Sequence, residues 1–417
     1  MIAEILATGD EIRSGALVDS NSAYIAQKLE ETGIEVVRHS SIGDDPAEII
    51  ILLKEISQRS DIAVVTGGLG PTDDDLTAAA AARTADVVLV LNPQALALVE
   101  NFFKARNRPL TDSNKKQAML PAGAQCLNNP VGTAPGFHIK IGQCDFFFLP
   151  GVPFEMRPML TEQVIPRIMI IQGPDAGVRL VKTLSTFGLT ESATGDHLDG
   201  FNQRFPQIKL GFRAKFPEIQ VKFYAHGVDE AGLRAKLEEA TQWVYRKLGD
   251  RVISDCGESM EKVVGTLLRQ KKALLAVAES CTGGLIADLL TNVPGSSDYF
   301  VFSAVTYSNQ LKMKILDVTA RTLDRYGAVS EQTAKEMARG VQQVSGANYG
   351  LSVSGIAGPG GGTDSKPVGT VCIGLADTEF VHGHRFNFTF DSRWMNKHVF
   401  ATAALDLLRR ELLGILR

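Results

Sequence analysis

Short apolar runs alternate with helical patterns at both ends of this chain, and this alternation narrows the folds that the chain can adopt. At the start, an apolar run at residues 2–9 is followed by apolar residues at helical spacing over 21–33, and then by a second apolar run at 34–39. Repeated strand, helix and strand units are typical of a largely parallel sheet with helices packed on its faces. The sequence therefore predicts an α/β fold.

The length and texture of the chain predict three domains. A chain of 417 residues exceeds one ordinary core. The first α/β pattern closes at a proline-dense stretch near residue 170, and the α/β pattern returns at residue 254. Between these points, strand-like pieces and one charged helix occur without a glycine-rich loop. We predict two three-layer α/β domains, 1–170 and 254–417, joined by a small α+β domain at 171–253.

The net charge and the cysteine content of the chain disfavour several functional classes. The net charge of −4 disfavours a general binder of nucleic acid or membrane surfaces, because such proteins carry a basic excess. Five cysteines without a CxxC pair indicate a reduced chain with no disulfide framework or structural zinc. The start, MIAEILATGDE, does not resemble a signal peptide, and no stretch approaches the ~18 apolar residues of a membrane span. We expect a cytoplasmic protein with no nucleic-acid or membrane partner.

The densest functional motif of the first half is TGGLGPTDDDLT, residues 66–77. Its glycines follow a predicted strand, where open α/β sheets bind ligands, and a helix predicted to begin after Thr72 would direct its N–H groups at a phosphate. The aspartates at 73–75 would repel a phosphate unless a cation lay between them, and their hard oxygens suit Mg²⁺ or a similar ion. The alternative is that these aspartates only cap the helix and match its charge.

Three further loops at predicted strand ends favour a binding site over capping alone. They are GDE at 9–11, NPVGTAPG at 129–136 and LPGVPFEM at 149–156. The predicted nucleotide or phosphate site of the first domain comprises Gly9, Asp10, Gly67, Gly68, Gly70, Thr72, Asp74, Asp75, Gly132, Pro150 and Gly151.

These motifs resemble the molybdopterin-binding-like domain that opens CinA-family proteins, which is related in fold to MogA-type molybdopterin adenylyltransferases. The resemblance implies metal-dependent hydrolysis of ADP-ribose at its pyrophosphate, with Mg or Co as the divalent ion and Asp74 and Asp75 as the candidate metal ligands. Arg13 departs from the family pattern, because GDEIRSG here replaces a motif with two apolar residues. Adenylylation of a pterin is the alternative activity for this domain, but it leaves the second half of the chain unexplained.

In the second half, AESCTGG at residues 278–284 places a hydroxyl beside a thiol at the end of a predicted buried strand. A serine nucleophile needs a base, and a lysine whose pKa is lowered by burial can serve. Lys312 in VTYSNQLK is the candidate base for Ser280; the alternative is a solvated surface lysine. Cys281 is expected to pack as a small buried residue, because a thiol nucleophile would normally have a histidine partner.

The loop SGIAGPGGG, residues 354–362, offers backbone amides as an anion cradle or oxyanion hole. With GSSDYF, GAVS and KPVGTV, these motifs resemble the CinA C-terminal domain, a PncC-type nicotinamide mononucleotide deamidase. The resemblance implies hydrolysis of nicotinamide mononucleotide to nicotinate mononucleotide and ammonia without a cofactor. Ser280 would be the catalytic serine and Lys312 its base, and the substrate would contact Thr282, Gly283, Tyr307, Asn309, Gly355, Gly358 and Arg393.

Two points stay open at the level of sequence. Ser280 could attack the amide carbon or position a water, and Ser392 interrupts the family's GDR pattern just before Arg393. The resemblance also implies a homodimer that takes nicotinamide mononucleotide and ADP-ribose as ligands. The alternative function is a non-catalytic nucleotide-binding or regulatory protein linked to competence or DNA damage.

Overall fold

The computed structural model describes residues 1–173 and 177–416. It divides into two compact units, one of Met1–Leu180 with His226–Leu233 and the other of Val181–Ala225 with the chain from Arg234 onward. Most of the predicted middle domain therefore belongs to the same unit as the predicted third domain. The domain boundaries at 170 and 253 stay predictions.

A six-stranded sheet forms the centre of the first unit, in the order β2-β1-β3-β8-β7-β6. Strands β2, β1, β3 and β8 run parallel, whereas β7 pairs antiparallel with both β8 and β6. A separate antiparallel pair joins β4 to β5. The strands are β1 (Ile2–Thr8), β2 (Glu35–Ile42), β3 (Ile62–Thr66), β4 (Leu89–Leu91), β5 (Met119–Pro121), β6 (Gln125–Leu127), β7 (Gly136–Ile141) and β8 (Cys144–Leu149).

Helices cover both faces of this sheet, as a three-layer fold requires. One buried cluster joins the sheet to α3, α4 and α5, and a second joins the opposite face to α2, α7 and α8. Side chains alternate between the two faces along each strand; Ile5 belongs to one cluster and Leu6 to the other. The helices are α1 (Asp10–Arg13), α2 (Ser20–Glu31), α3 (Pro46–Arg59), α4 (Thr77–Thr84), α5 (Pro93–Ala105), α6 (Asp112–Lys116), α7 (Pro153–Met159) and α8 (Ile165–Gln172), with a π-helical turn at Leu160–Val164.

The middle segment forms a four-stranded sheet in the order β10-β11-β9-β12. Strands β10 and β11 make an antiparallel hairpin in which Lys215 pairs with Glu218, so Phe216 and Pro217 form its tip. The elements are β9 (Val178–Thr186), α9 (Glu191–His197), α10 (Phe201–Arg204), β10 (Ile208–Lys215), β11 (Glu218–Gly227), α11 (Glu230–Leu248), a 3₁₀ turn at Gly249–Arg251, and β12 (Val252–Ser254). This mixture of strands and helices agrees with the predicted α+β module.

A five-stranded sheet organises the C-terminal segment, in the order β14-β13-β15-β16-β17. Strands β14, β13 and β15 are parallel, and β16 and β17 extend the sheet as antiparallel strands. The strands are β13 (Leu275–Glu279), β14 (Phe300–Val305), β15 (Tyr349–Gly355), β16 (Thr370–Ala376) and β17 (Val381–Asn387). Both large sheets are thus mixed, with a parallel part at the predicted site.

This second large sheet also lies between two layers of helices. One buried cluster packs it against α12, α13 and α17, and another packs the opposite face against α14, α15 and α16. The helices are α12 (Met260–Lys271), α13 (Leu285–Thr291), α14 (Asn309–Leu316), α15 (Ala320–Tyr326), α16 (Glu331–Ser345) and α17 (Arg393–Leu412), with a 3₁₀ turn at Ser296–Asp298. Within the described residues, no helix is long and apolar enough to cross a membrane.

One predicted helix start is wrong. The helix expected after Thr72 begins only at Thr77, and the intervening residues form a turn. No acidic residue occupies the first turn of α4, so the aspartates do not match its charge. The carboxylates of Asp74 and Asp75 accept hydrogen bonds from Thr72 instead, because a short side chain two or three residues away competes well with a helix end.

The middle segment contacts the C-terminal segment through a buried carboxylate. Glu218 is 6% exposed, and its Oε1 accepts a hydrogen bond from the backbone N–H of Met260 at 3.0 Å. Burial raises the pKa of Glu218 from 4.5 to about 7. The folded chain therefore holds a proton on this group more tightly than the unfolded chain does. The contribution of Glu218 to stability is present below about pH 4.5 and is lost as pH rises to about 7.

Glu218→Gln should therefore become more stable than the wild type as pH rises, by about 3 kcal/mol above pH 7. The glutamine keeps an acceptor for Met260 N–H but cannot ionise. Thermal or urea unfolding between pH 5 and pH 8.5 measures the difference, with the exposed Glu379→Gln as control. A difference between Glu218→Gln and the wild type that did not change with pH would contradict the assignment.

Candidate functional site

Three adjacent parallel strands of the C-terminal segment bring the predicted site residues to one edge of the sheet. Ser280 follows β13, Tyr307 lies two residues after β14, and the glycine loop follows β15. Because these strands are neighbours in the order β14-β13-β15, their carboxyl ends lie side by side. This edge is where open α/β sheets bind ligands.

The structure places Ser280 and Lys312 in direct contact. The Nζ of Lys312 donates to the Oγ of Ser280 at 3.1 Å and to the backbone carbonyl of Thr306 at 2.8 Å. Lys312 lies on α14 and is only 1% exposed, and Ser280 is 9% exposed. The alternative of a solvated surface lysine is therefore wrong for Lys312. Lys314, two residues later on the same helix, is exposed.

Burial determines the proton affinity of this lysine. Desolvation lowers the pKa of Lys312 below its usual value, and no carboxylate forms an ion pair with it among the described residues. A neutral amine can accept a proton from a hydroxyl that lies within hydrogen-bond distance. The pair is thus arranged for Lys312 to take the proton of Ser280 or of a water held beside it.

A tight turn after β13 fixes the position of Ser280. Gly283 and Gly284 have φ angles of +64° and +96°, a region that side chains disfavour, and Gly284 is the N-cap of α13. The fully buried carboxylate of Glu279 accepts hydrogen bonds from the N–H groups of Gly284, Ile286 and Ala287. Glu279 therefore caps the start of α13.

Arg393 joins the glycine loop to Tyr307. Its guanidinium donates to the carbonyl of Gly358 at 2.7 Å and to the hydroxyl of Tyr307 at 3.1 Å. Within the described chain, Arg393 makes no ion pair, and the N–H groups of Ala357 and Gly358 donate to no protein acceptor. This side of the site therefore presents a cation and free amide donors, which suit a phosphate or another anion.

The remaining predicted residues lie at the same edge. Thr282 is fully buried, and its hydroxyl has no hydrogen-bond partner among the described residues. Tyr307 is 61% exposed, and Asn309 is an exposed first residue of α14. Gly355 ends β15, where an added Cβ would come within 3.1 Å of Cys281 Sγ. The structure thus brings the predicted residues together at one edge of the sheet.

Two contributions were missed from the sequence. Thr306 contributes a backbone carbonyl to Lys312, which no side-chain motif can reveal. Lys397 lies within 3.6 Å of where a side chain at Gly283 would project. Its position four residues after Arg393 on α17 places both cations on one helical face, and that spacing was a usable signal.

The predicted N-terminal residues line a cleft of about 490 Å³ at the carboxyl ends of β1, β3 and β8. Eight of them form its wall: Gly9, Gly67, Gly68, Gly70, Asp74, Asp75, Pro150 and Gly151. Asp10, Thr72 and Gly132 are not part of this wall, but each lies next to a residue that forms it. Asn21 also lines the cleft and donates to the carbonyl of Gly151 at 2.7 Å, a contact that the sequence did not reveal.

The aspartate turn is held by Thr72. Asp75 Oδ2 accepts from the backbone N–H of Thr72 at 2.9 Å and from its hydroxyl at 2.6 Å, and the same hydroxyl donates to Asp74. Lys116 donates to the carbonyl of Thr72. Asp73 is exposed and does not line the cleft. Asp74 and Asp75 are therefore the members of the triplet that face the site.

The acidic side chains of this cleft suit a cation that is shared with a ligand. Burial raises the pKa of Asp44, and the nearby carboxylates of Asp10, Glu11 and Asp74 raise it further. Among the described residues, however, no three ligating side chains are grouped closely enough to hold a metal by themselves. The residues therefore fit an ion that completes its shell with phosphate oxygens and water, as Mg²⁺ commonly does.

Arg13 lies on the outside of this site. Its Nε donates to Asp10 Oδ1 at 3.2 Å, and the side chains of both residues are more than half exposed. Arg13 is absent from the cleft wall, although Gly9, Glu11 and Ile12 beside it are present. The residue that departs from the family pattern thus pairs with Asp10 at the surface.

Family comparisons match three consecutive parts of the chain. Residues 4–169 match the probable molybdopterin binding domain, residues 181–254 the damage-inducible protein CinA KH domain, and residues 257–412 the CinA C-terminal domain.

Individual relatives match nearly the whole chain. A CinA-like protein of Desulfosudis oleivorans is 52% identical over 413 residues, which cover 99% of this chain and 100% of that protein. A CinA-like protein of Desulforapulum autotrophicum is 48% identical over 414 residues, 98% of each chain. Among solved structures, the protein CinA with unknown function from Thermoplasma acidophilum is 34% identical, with a TM-score of 0.37 over 40% of this chain and 96% of its own.

Thiol reactivity tests whether Cys281 is a packing residue rather than a nucleophile. Cys281 is buried, and desolvation raises its pKa to about 12, whereas Cys256 is exposed. We expect a disulfide reagent at pH 8 to label the native protein at Cys256 and to leave Cys281 unmodified, because the thiolate is the reactive form. Peptide mapping after labelling, with Cys256→Ser as control, measures this. Rapid native labelling of Cys281 would contradict the packing role.

Proposed function

The chain belongs to the CinA family, and on this premise we propose that its C-terminal segment hydrolyses nicotinamide mononucleotide to nicotinate mononucleotide and ammonia. The observation that carries the proposal is the buried contact of Lys312 Nζ with Ser280 Oγ at 3.1 Å. An amidohydrolase needs an activated nucleophile, donors for a developing oxyanion and a proton for the departing ammonia. The site holds a candidate group for each of these.

In the proposed reaction, Lys312 takes the proton of Ser280 as Oγ attacks the carboxamide carbon. The carbonyl oxygen becomes an oxyanion, which the free N–H groups of the glycine loop can stabilise. The C–N bond then breaks, ammonia leaves with the proton from Lys312, and an ester on Ser280 remains. Water attacks this ester, Lys312 again accepts the proton, and nicotinate mononucleotide is released with Ser280 re-protonated.

Recognition of a nucleotide has separate support. Arg393 and the partly buried Lys397 supply positive charge on one face of α17. The guanidinium of Arg393 forms no ion pair with a carboxylate among the described residues. A 5′-phosphate carries the opposite charge, and charge-assisted contacts with arginine are strong and directional. The direct hydrogen bond between Lys312 and Ser280 favours covalent attack by Ser280 over attack by a positioned water.

For the first segment, we propose metal-dependent hydrolysis of a nucleotide pyrophosphate, with ADP-ribose as the substrate. The carboxylates of Asp74 and Asp75 would hold a divalent ion, which neutralises phosphate charge when bound. Asn21, through Gly151, and Thr72, through both aspartates, keep the loops of the cleft in place. The size of the cleft, about 490 Å³, is in the range of pockets for molecules of this class.

Ser280→Ala and Lys312→Ala should each reduce deamidation by at least about a thousandfold, because each removes one partner of the reacting pair. The assay follows ammonia and nicotinate mononucleotide. Lys314→Ala, an exposed lysine on the same helix, should match the wild type. Mass spectrometry of the quenched wild type should find the ester of nicotinate mononucleotide on Ser280. A folded wild type without turnover would reject the deamidase and favour a nucleotide-binding or regulatory protein.

Asp75→Asn should abolish metal-dependent cleavage of ADP-ribose while leaving deamidation unchanged, because it removes one carboxylate from the N-terminal cleft only. The measurement is AMP and ribose 5-phosphate release with Mg²⁺, with Co²⁺ and with chelator. Asp73→Asn is the matched control, since it changes the same charge outside the cleft wall. Equal activity of Asp75→Asn and the wild type would contradict the assignment, and pterin adenylylation with ATP would be the next assay.

A further inference from the structure

The tip of the β10–β11 hairpin packs against the C-terminal segment. The ring of Phe216 contacts Phe390 edge-on, with centroids 5.3 Å apart, and Trp394 in a tilted arrangement at 5.8 Å. Phe216 is partly buried against the apolar cluster that joins the C-terminal sheet to α12, α13 and α17. Aromatic pairs of this geometry contribute about 0.5–1.5 kcal/mol beyond the area that they bury.

The two aromatic residues that contact Phe216 lie on either side of Arg393. Phe390 precedes α17, and Trp394 is its second residue. Between them, Ser392 caps the helix by accepting from Met395 N–H, and Arg393 begins it. The hairpin tip therefore holds the helix end from which the guanidinium reaches Gly358 and Tyr307.

A second contact holds the hairpin tip against the C-terminal segment. Glu218, two residues after Phe216, accepts from the N–H of Met260 at the start of α12. Helix α12 packs against α17, and the buried Arg409 near the other end of α17 donates to the carbonyl of Val252 in β12. The middle segment thus contacts α17 near both of its ends, and these contacts lie within one compact unit.

The middle segment lacks the glycine motif with which KH domains bind RNA. KH domains that bind RNA clamp its backbone with a GXXG loop. Residues 181–254 contain no pair of glycines at that spacing. The hairpin tip instead places an aromatic side chain on residues beside the amidase site.

We propose that Phe216 is a positioning residue for the nucleotide site: its ring, held between Phe390 and Trp394, keeps Arg393 oriented towards the phosphate of the substrate. The inference rests on the proposed deamidase function. Without the ring, Trp394, which is already 58% exposed, loses its aromatic neighbour from the hairpin, and the first turn of α17 gains freedom. The Ser280–Lys312 pair is not touched by Phe216. Substrate binding should therefore weaken while the chemical step is retained.

The test compares Phe216→Ala with Phe212→Ala in the full chain. Phe212 lies on β10 of the same hairpin, and its ring contacts the α9 side of the middle segment near Gly195. For Phe216→Ala we expect KM for nicotinamide mononucleotide to rise about tenfold, as expected from weakening one charge-assisted contact. The value of kcat should stay within about twofold. Phe212→Ala should leave KM unchanged, and Phe216→Tyr should restore it.

A double-mutant cycle shows whether the effect passes through Trp394. Trp394→Ala should raise KM by a similar factor, and the double variant with Phe216→Ala should be no worse than either single variant, because both remove the same contact. Thermal unfolding confirms that each variant is folded at the assay temperature.

Four results would overturn the inference: an unchanged KM in Phe216→Ala, a loss confined to kcat, an equal effect of Phe212→Ala, or full additivity with Trp394→Ala. A wild type that turns over normally beside an unaffected Phe216→Ala rejects the inference alone. A folded wild type without any turnover rejects the proposed function, and the positioning role falls with it.

Discussion

The desolvated ammonium of Lys312 is the constraint to which the rest of the C-terminal site is fitted. A lysine that is 1% exposed and lacks a carboxylate partner among the described residues is costly to keep charged. Two hydrogen bonds partly offset this cost, since Nζ of Lys312 donates to the hydroxyl oxygen of Ser280 and to the carbonyl oxygen of Thr306. Both oxygens come from the ends of adjacent parallel strands, so the sheet topology itself creates the pair.

Both large sheets form a candidate site at the ends of their parallel strands. In each large sheet, neighbouring parallel strands end at one edge, and glycine-rich turns there let backbone groups approach a ligand. The two edges differ in charge. The N-terminal cleft is acidic, with Asp44, Asp74 and Asp75, and this charge supports the cation that we propose between protein and phosphate. The C-terminal edge offers Arg393 and free amides, which can meet a phosphate directly. The middle segment supports this second edge through Phe216 and Glu218.

Much of this arrangement was predictable, and the exceptions have physical reasons. Hydrophobic periodicity located α2, the sequence texture indicated one charged helix in the middle segment, and glycine motifs located both sheet edges. Lys312 was predicted as the base, but the sequence left a surface position open, because burial depends on packing against α16 and the sheet, which local sequence does not encode. The start of α4 was misplaced because Thr72 binds the aspartates more favourably than a helix would. The hydrogen bond from Lys312 to Thr306 uses a backbone carbonyl, and the contact of Phe216 with Trp394 joins residues far apart in the chain, so no local side-chain motif could predict either.

The pH dependence of kcat/KM for nicotinamide mononucleotide tests the central claim most directly, because it reports the proton that the free enzyme must lose. The account predicts a rate that rises with pH and levels off below pH 10.5, the ordinary lysine value, since burial lowers the pKa of Lys312. The residual activity of Lys312→Ala should lack this limb. A rate that still rises at pH 10.5, or the same limb in Lys312→Ala, would contradict the role of Lys312 as the base.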